Sequence, residues 1–159
     1  MKTYKMICPE LLEFVNKHTM HFDESHDINH ALAVYRNAII IAENDYPNYD
    51  QDIIMYSSLL HDVCDYKYDT ITTIQLKEFI IKSLPSEKVD PIMDIINNIS
   101  YSKEIKGLRK KLDAPYNVYL DIVSDADKLE GLTVPFIPLY TIINLIKSYI
   151  CHYLKVTKD

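Results

Sequence analysis

Three places along this chain set imidazoles and carboxylates where they could act together. His26 and His30 stand four residues apart, a helical i, i+4 spacing, with Asp27 beside the first. His61 and Asp62 are adjacent inside Leu59-Leu60-His61-Asp62-Val63, an otherwise apolar run, and Asp65 follows one helical turn later. Asp125 and Asp127 flank Ala126, just after the apolar Leu120, Ile122 and Val123. Burying an unpaired charge is expensive, and the usual remedies are a salt partner, protonation or a metal. A shared divalent cation is the simplest common partner. Two neutral imidazoles and two carboxylates suit zinc, iron, manganese or a similar ion, with coordination positions left for water and substrate. Each element alone is weak, because a lone helical histidine is more often a satisfied core or surface residue than a ligand. The ordered set is what carries specificity.

Helices must position these groups. Leu11, Leu12, Phe14 and Val15 after Pro9 predict a short first helix, and the mixed polar stretch from His18 to Ser25 reads as a loop. Asp27 or Ser25 can cap a long helix in which Ile28, Leu32, Tyr35, Ile39 and Ala42 recur at spacings of three and four. Pro47 ends it. Asp50 or Gln51 opens the next helix, which carries His61 and Asp62 near its C-terminal end. Further helices are predicted over 73–83 and about 87–99, and from Pro115 through Leu129. Residues 100–114 read as a polar region around Gly107 with the basic group Arg109, Lys110 and Lys111, and about 135–155 as a final apolar packing helix. The expectation is an all-α fold: one compact domain over 1–159 built from about seven helices.

Composition agrees with that class. The chain has 159 residues, 48% hydrophobic and 25% charged, which suits one globular domain. It holds only two glycines, too few for the hairpin turns of an all-β fold or for a glycine-rich phosphate loop. The formal net charge is −6 and the basic residues are scattered, which argues against a nucleic-acid polymer as partner. Small anionic substrates stay open if a metal supplies positive charge. Cys8, Cys64 and Cys151 lack paired spacing, which disfavours a disulfide framework and points to a reducing, cytoplasmic setting. No signal peptide is read at the start, and the uncharged stretch from Gly131 to Ile146 is short of the ~20 apolar residues of a spanning helix, so no membrane is expected.

The series His26-Asp27-Ile28-Asn29-His30, then Leu59-Leu60-His61-Asp62-Val63-Cys64-Asp65-Tyr66-Lys67, then Asp125-Ala126-Asp127-Lys128-Leu129 resembles the HD-domain metal-dependent phosphohydrolases. Their signature is this H…HD…D order on separate helices. The likeness covers about 25–132 and is closest to the small branch with an HDxxH start, an LLHDxxDxK centre and a DADxL finish. Ile99-Ser100-Tyr101 also resembles a segment of that branch, whose members include nucleoside triphosphate pyrophosphohydrolases. The resemblance implies one divalent ion (Mn, Co, Ni, Zn, Fe or Mg) held by His30, His61, Asp62 and Asp127. Asp125 is the rival for the last place. Residues two apart on a helix point about 200° away from each other, so the two would not share one ion.

By the same likeness Asp65 stands where related enzymes place an acid that handles the attacking water or the leaving group, though it could equally cap a turn. His26 could touch a substrate phosphate or orient a ligand, or be a surface histidine at a helix start. Lys67, Lys103 and Lys128 are candidate phosphate contacts, set against a solvated role for each. The pattern's arginine before the valine is replaced by Ala33, and the chain beyond Leu129 departs from the branch, so the substrate end matches less well than the metal set. The leading expectation is hydrolysis of a phosphate ester or anhydride in a nucleotide or similar small phosphate compound. A di-iron oxygenase of the HD type would require further ligands, for which His26 is the spare histidine. A non-catalytic nucleotide-binding regulatory module is the third reading. The apolar C-terminus makes a homodimer a further expectation.

Overall fold

A computed structural model describes residues 5–132 apart from Pro47, Tyr66 and Asp69. Seven helices and no strand occur among the described residues: α1 (Pro9–Thr19), α2 (Ile28–Asp45), α3 (Gln51–Leu60), α4 (Thr73–Ser83), α5 (Ser86–Asn98), α6 (Tyr101–Ile105) and α7 (Tyr116–Leu132). The all-α expectation holds. The seven are not quite the expected seven, since α6 lies where an irregular region was read and the final helix at about 135–155 falls outside the described residues.

Local chemistry sets most boundaries. Pro9 at the start of α1 has no N–H to leave unsatisfied. Asp27 caps α2, its carboxylate accepting from the backbone N–H groups of Asn29 and His30, and Asp50 does the same for Asp52 and Ile53 of α3. Thr72 and Gln75 form a reciprocal capping box on α4. Pro91 lies inside α5, which continues through it to Asn98. Gly107 follows α6 with φ of 65°, a left-handed conformation that suits glycine, while its N–H bonds the Glu104 carbonyl.

The core runs through α2, α3, α5 and α7. Val34, Ala38, Ile54, Leu60, Ile92, Ile95, Leu120 and Ala126 are all fully buried. α3 lies at the centre, and every residue from Asp52 to Leu60 is buried. Small side chains, Ala38 and Ala42 on α2 and Ala126 on α7, suit the close packing of those two helices, and Asn37 donates to the Ala126 carbonyl across the contact. The beginning of α2 thereby meets the end of α7, bringing residues about one hundred apart in sequence together.

Outside this contact an ionic cluster ties the N-terminal segment to α3 and α5. Asp52 receives Lys5 at 2.5 Å and Lys88 at 2.7 Å, and Lys88 also reaches Asp50. Among the described residues Cys8 and Cys64 are free thiols, and burial pushes Cys64 up to about 11. Cys151 lies outside the described residues. Among those residues no helix is long and apolar enough to cross a membrane.

Candidate metal centre

Each ligand candidate is presented by a helix end. The Asp27 cap places His30 in the first turn of α2, where its ring is buried. α3 stops at Leu60, so His61 is its C-cap and Asp62 lies in the following turn, one step beyond the helix that the sequence predicts for them. The last carbonyls of a helix lack intrahelical partners. His61 supplies one, its Nδ1 donating to the Ser58 carbonyl at 2.8 Å. His30 Nδ1 donates to Glu130 Oε2, also at 2.8 Å. A carbonyl or carboxylate oxygen can only accept, so in the neutral imidazoles the proton sits on Nδ1 and Nε2 carries a lone pair.

Those two Nε2 atoms are 3.3 Å apart. Asp62 Oδ2 lies 3.5 Å from His30 Nε2 and 3.2 Å from His61 Nε2. Asp127 Oδ1 lies 3.3 Å and 3.7 Å from the same two nitrogens. Four acceptors thus converge with no donor among them while both rings are neutral, and such a group must take up protons or a cation. Ligand atoms about 2.0–2.2 Å from one ion stand roughly 2.8–3.6 Å from their cis or tetrahedral neighbours, and the His30, His61 and Asp62 atoms keep that spacing, with Asp127 Oδ1 at 3.3 and 3.7 Å from the two nitrogens. The donor set fits a divalent ion.

The electrostatics point the same way. Burial opposes a charge on His61, yet Asp62 and Asp127 outweigh it and raise the ring well above its ordinary value. Burial also opposes a charge on His30, and Asp127, Glu130 and Asp62 outweigh it. For Asp62 and Asp127 burial favours the neutral acid, but His61 at Asp62, and His30 with His61 at Asp127, hold both carboxyls below their usual range. The centre therefore stabilises positive charge strongly at its middle.

The other candidates divide. Asp125 faces away, paired with Lys128 at 3.4 Å, while Asp127 faces the histidines. His26 is not helical, since it precedes the Asp27 cap, and the expected i, i+4 helical pair is a turn residue beside a helical one with ring centroids 6.1 Å apart. Asp65 stands with His26 and Asp62 in a second, shallower group, their ligand atoms within 4.8 Å of one another. Its carboxylate also accepts the Lys67 N–H, so it shapes the turn as well as facing the site. Lys67 lies at the rim, 3.7 Å from Asp65 and half exposed. Lys103 donates to the Asn97 carbonyl, and Lys128 pairs with Glu104 at 2.7 Å, although it shares a small cavity with Asp127. Both of these lysines are thus already engaged within the protein. Arg109, read as part of a solvated loop, is held against α7 by Asp121 at 2.6 Å.

Two participants escaped the sequence reading. Glu130 orients His30, and the available signal was its place one turn after Asp127 on the same helix. Asp23 accepts from His26 Nδ1 at 2.9 Å and from Ser25 Oγ and Tyr68 Oη. The hydrogen bonds from His26, Ser25 and Tyr68 keep its carboxyl far below the usual range. A separate cavity of about 290 Å³, lined by Tyr46, Tyr49, Pro115 and Tyr119 among others, lies at the far end of α2 and shares no residue with the centre.

No protein-family model matches this sequence, and no curated protein matches it. Its fold is similar to the crystal structure of a Lactobacillus plantarum protein solved as a structural genomics target, with a TM-score of 0.56 and 22% identity. The match covers 79% of this chain and 58% of that one, so this chain spans little more than half the length of its neighbour. At that identity the likeness concerns the fold alone.

Proposed function

We propose that this protein is an HD-domain metal-dependent phosphohydrolase that cleaves a phosphate ester or anhydride, with a nucleotide or similar small phosphate compound as substrate. The supporting observation is the convergence of His30 Nε2, His61 Nε2 and Asp62 Oδ2 at the spacing of one coordination shell, with Asp127 Oδ1 beside both nitrogens. A divalent ion held there would acidify water and neutralise charge on the non-bridging phosphoryl oxygens. Around it, the chain's own groups have distinct tasks. The Ser58 carbonyl and Glu130 fix the two imidazoles so that neither ring must reorient when a cation enters. Asp65, beside Asp62 at the mouth, is placed to accept a proton from the attacking water or to return one to the leaving oxygen. His26, aligned by Asp23, stands beside Asp62 and Asp65, where it can meet a substrate phosphate. Lys67 at the rim offers a cation to an incoming anion.

The test pairs metal content with turnover. His61→Ala and Asp62→Ala are expected to lose both the bound ion and the hydrolysis of a nucleotide panel and a generic phosphodiester, assayed with several divalent metals. Full turnover by a metal-free His61→Ala variant contradicts the proposal. Iron in the purified protein, with oxygen consumption and no phosphate release, would instead favour the oxygenase.

A further inference from the structure

We infer that the cavity between the end of α2 and the start of α7 is a second ligand site, one that takes a small methylated ammonium ion. The cavity has a volume of about 290 Å³. Three aromatic residues, Tyr46, Tyr49 and Tyr119, line it together with the apolar Pro115, Val118 and Ile122. Asp45 adds a carboxylate, and among the described residues no lysine, arginine or histidine belongs to the lining. Asp45 ends the helix on which His30 occupies the first turn, about 22 Å away at a rise of 1.5 Å per residue, so this site is separate from the metal centre. It stands independently of the hydrolase reading.

Charge selects the ligand. A helix C-terminus carries partial negative charge, which a cation offsets and a carboxylate worsens. α2 ends on Glu43, Asn44 and Asp45 with no basic residue in its last turn, so that end is more negative than the backbone alone would make it. Burial, and after it the Glu43 charge, pushes the Tyr49 hydroxyl up, which reports the same negative field. Lys88, which bonds Asp50, is shared with Asp52 and takes no part in the lining. Aromatic faces are themselves negative and attract a cation seated against them. A primary ammonium needs acceptors for three N–H groups, whereas Pro115, Val118 and Ile122 offer carbon, which suits methyl groups around the charge. The lining is also formed in advance. Tyr46 N–H bonds the Ala42 carbonyl at 2.8 Å, Tyr49 N–H bonds the Tyr46 carbonyl at 3.0 Å, and the Tyr119 hydroxyl accepts the Asp50 N–H at 2.8 Å. A preorganised wall spends little of the binding energy on its own ordering.

The experiment is a calorimetric titration of the full-length protein at constant ionic strength with two probes. One is choline, and the other is its uncharged isostere, in which carbon replaces the quaternary nitrogen. Choline is expected to saturate one site per chain and to bind about ten-fold more tightly than the isostere. Tyr46→Ala should weaken choline by about ten-fold, and since Tyr46 is 44% exposed the change spares the core. Tyr46→Phe, which keeps the ring, should bind as wild type does, and Asp45→Asn should lose a few-fold. Absence of saturable choline binding overturns the inference. Equal affinity for the two probes also overturns it, because the cavity would then read apolar surface alone. So does an affinity unchanged by Tyr46→Ala, which would place the cation elsewhere, or one lost equally in Tyr46→Phe, which would assign it to the hydroxyl. Should Tyr46→Ala fail to fold, the isostere comparison and Asp45→Asn decide the matter.

Discussion

Glu130 Oε2 accepts from His30 Nδ1 at 2.8 Å, although the two residues are one hundred positions apart. One helix therefore delivers both Asp127, aimed at the centre, and, a turn further on, the group that aims His30 there. Carboxylate partners of ligating histidines fix the tautomer and raise ring basicity, and their loss typically weakens metal affinity by about 10–100-fold. Glu130→Ala is expected to show that loss by metal titration while the thermal unfolding midpoint of the metal-free protein changes little. Glu130→Gln, which keeps an acceptor oxygen, should lose less. Equal affinity in wild type and Glu130→Ala would remove Glu130 from the centre.

The orientation of α7 makes a sharp distinction between two aspartates that look alike in sequence. Asp127 reaches both imidazoles, whereas Asp125 pairs with Lys128. Asp127→Asn is expected to release the deep ion and stop turnover. Asp125→Asn should keep the full metal content and change activity by no more than a few-fold. The reverse pattern, read by elemental analysis of the two purified variants, would mean that α7 presents Asp125 rather than Asp127 to the histidines.

Acid sensitivity should arise partly at a place remote from chemistry. Burial raises the Asp52 carboxyl, but the hydrogen bonds and charges of Lys5 and Lys88 outweigh this and hold it below its ordinary value. A carboxyl with a depressed folded-state value stabilises fully above the unfolded value of about 3.9 and loses that contribution as pH falls through the folded one. Asp52→Asn should therefore cost roughly 1.5–3 kcal/mol at neutral pH, the range for hydrogen bonds to charged groups. The gap between variant and wild type should close below about pH 4. Denaturant unfolding at a series of pH values checks this, and two parallel stability curves would refute it.

Much of the fold was legible because helix signals are local. Asp27 and Asp50 satisfy backbone N–H groups two or three residues away, and the spacing of Ile53, Ile54, Leu60 and Val63 marks a buried side with no knowledge of what covers it. Other boundaries were harder. His61 and Asp62 read as helical because their neighbours are apolar, yet α3 stops one residue earlier and the His61 ring spends its N–H on the Ser58 carbonyl. Residues 100–114 offered polar side chains and one glycine, a weak signal for a helix as short as α6.

By itself the sequence determined the helical class, the neighbourhoods of the α2 and α3 caps, and which imidazoles and carboxylates stand in apolar surroundings, because each depends on residues within a turn or two of one another. Only the tertiary structure decided that Asp127 rather than Asp125 faces His30 and His61, that Glu130 and Asp23 align the histidines, and that Lys103 and Lys128 are bound to partners of their own. Those outcomes depend on the rotation of α7 against α2 and on the bracing of two turns by Phe22 and Tyr68. Packing between distant segments sets such rotations, and no spacing within a single segment encodes them.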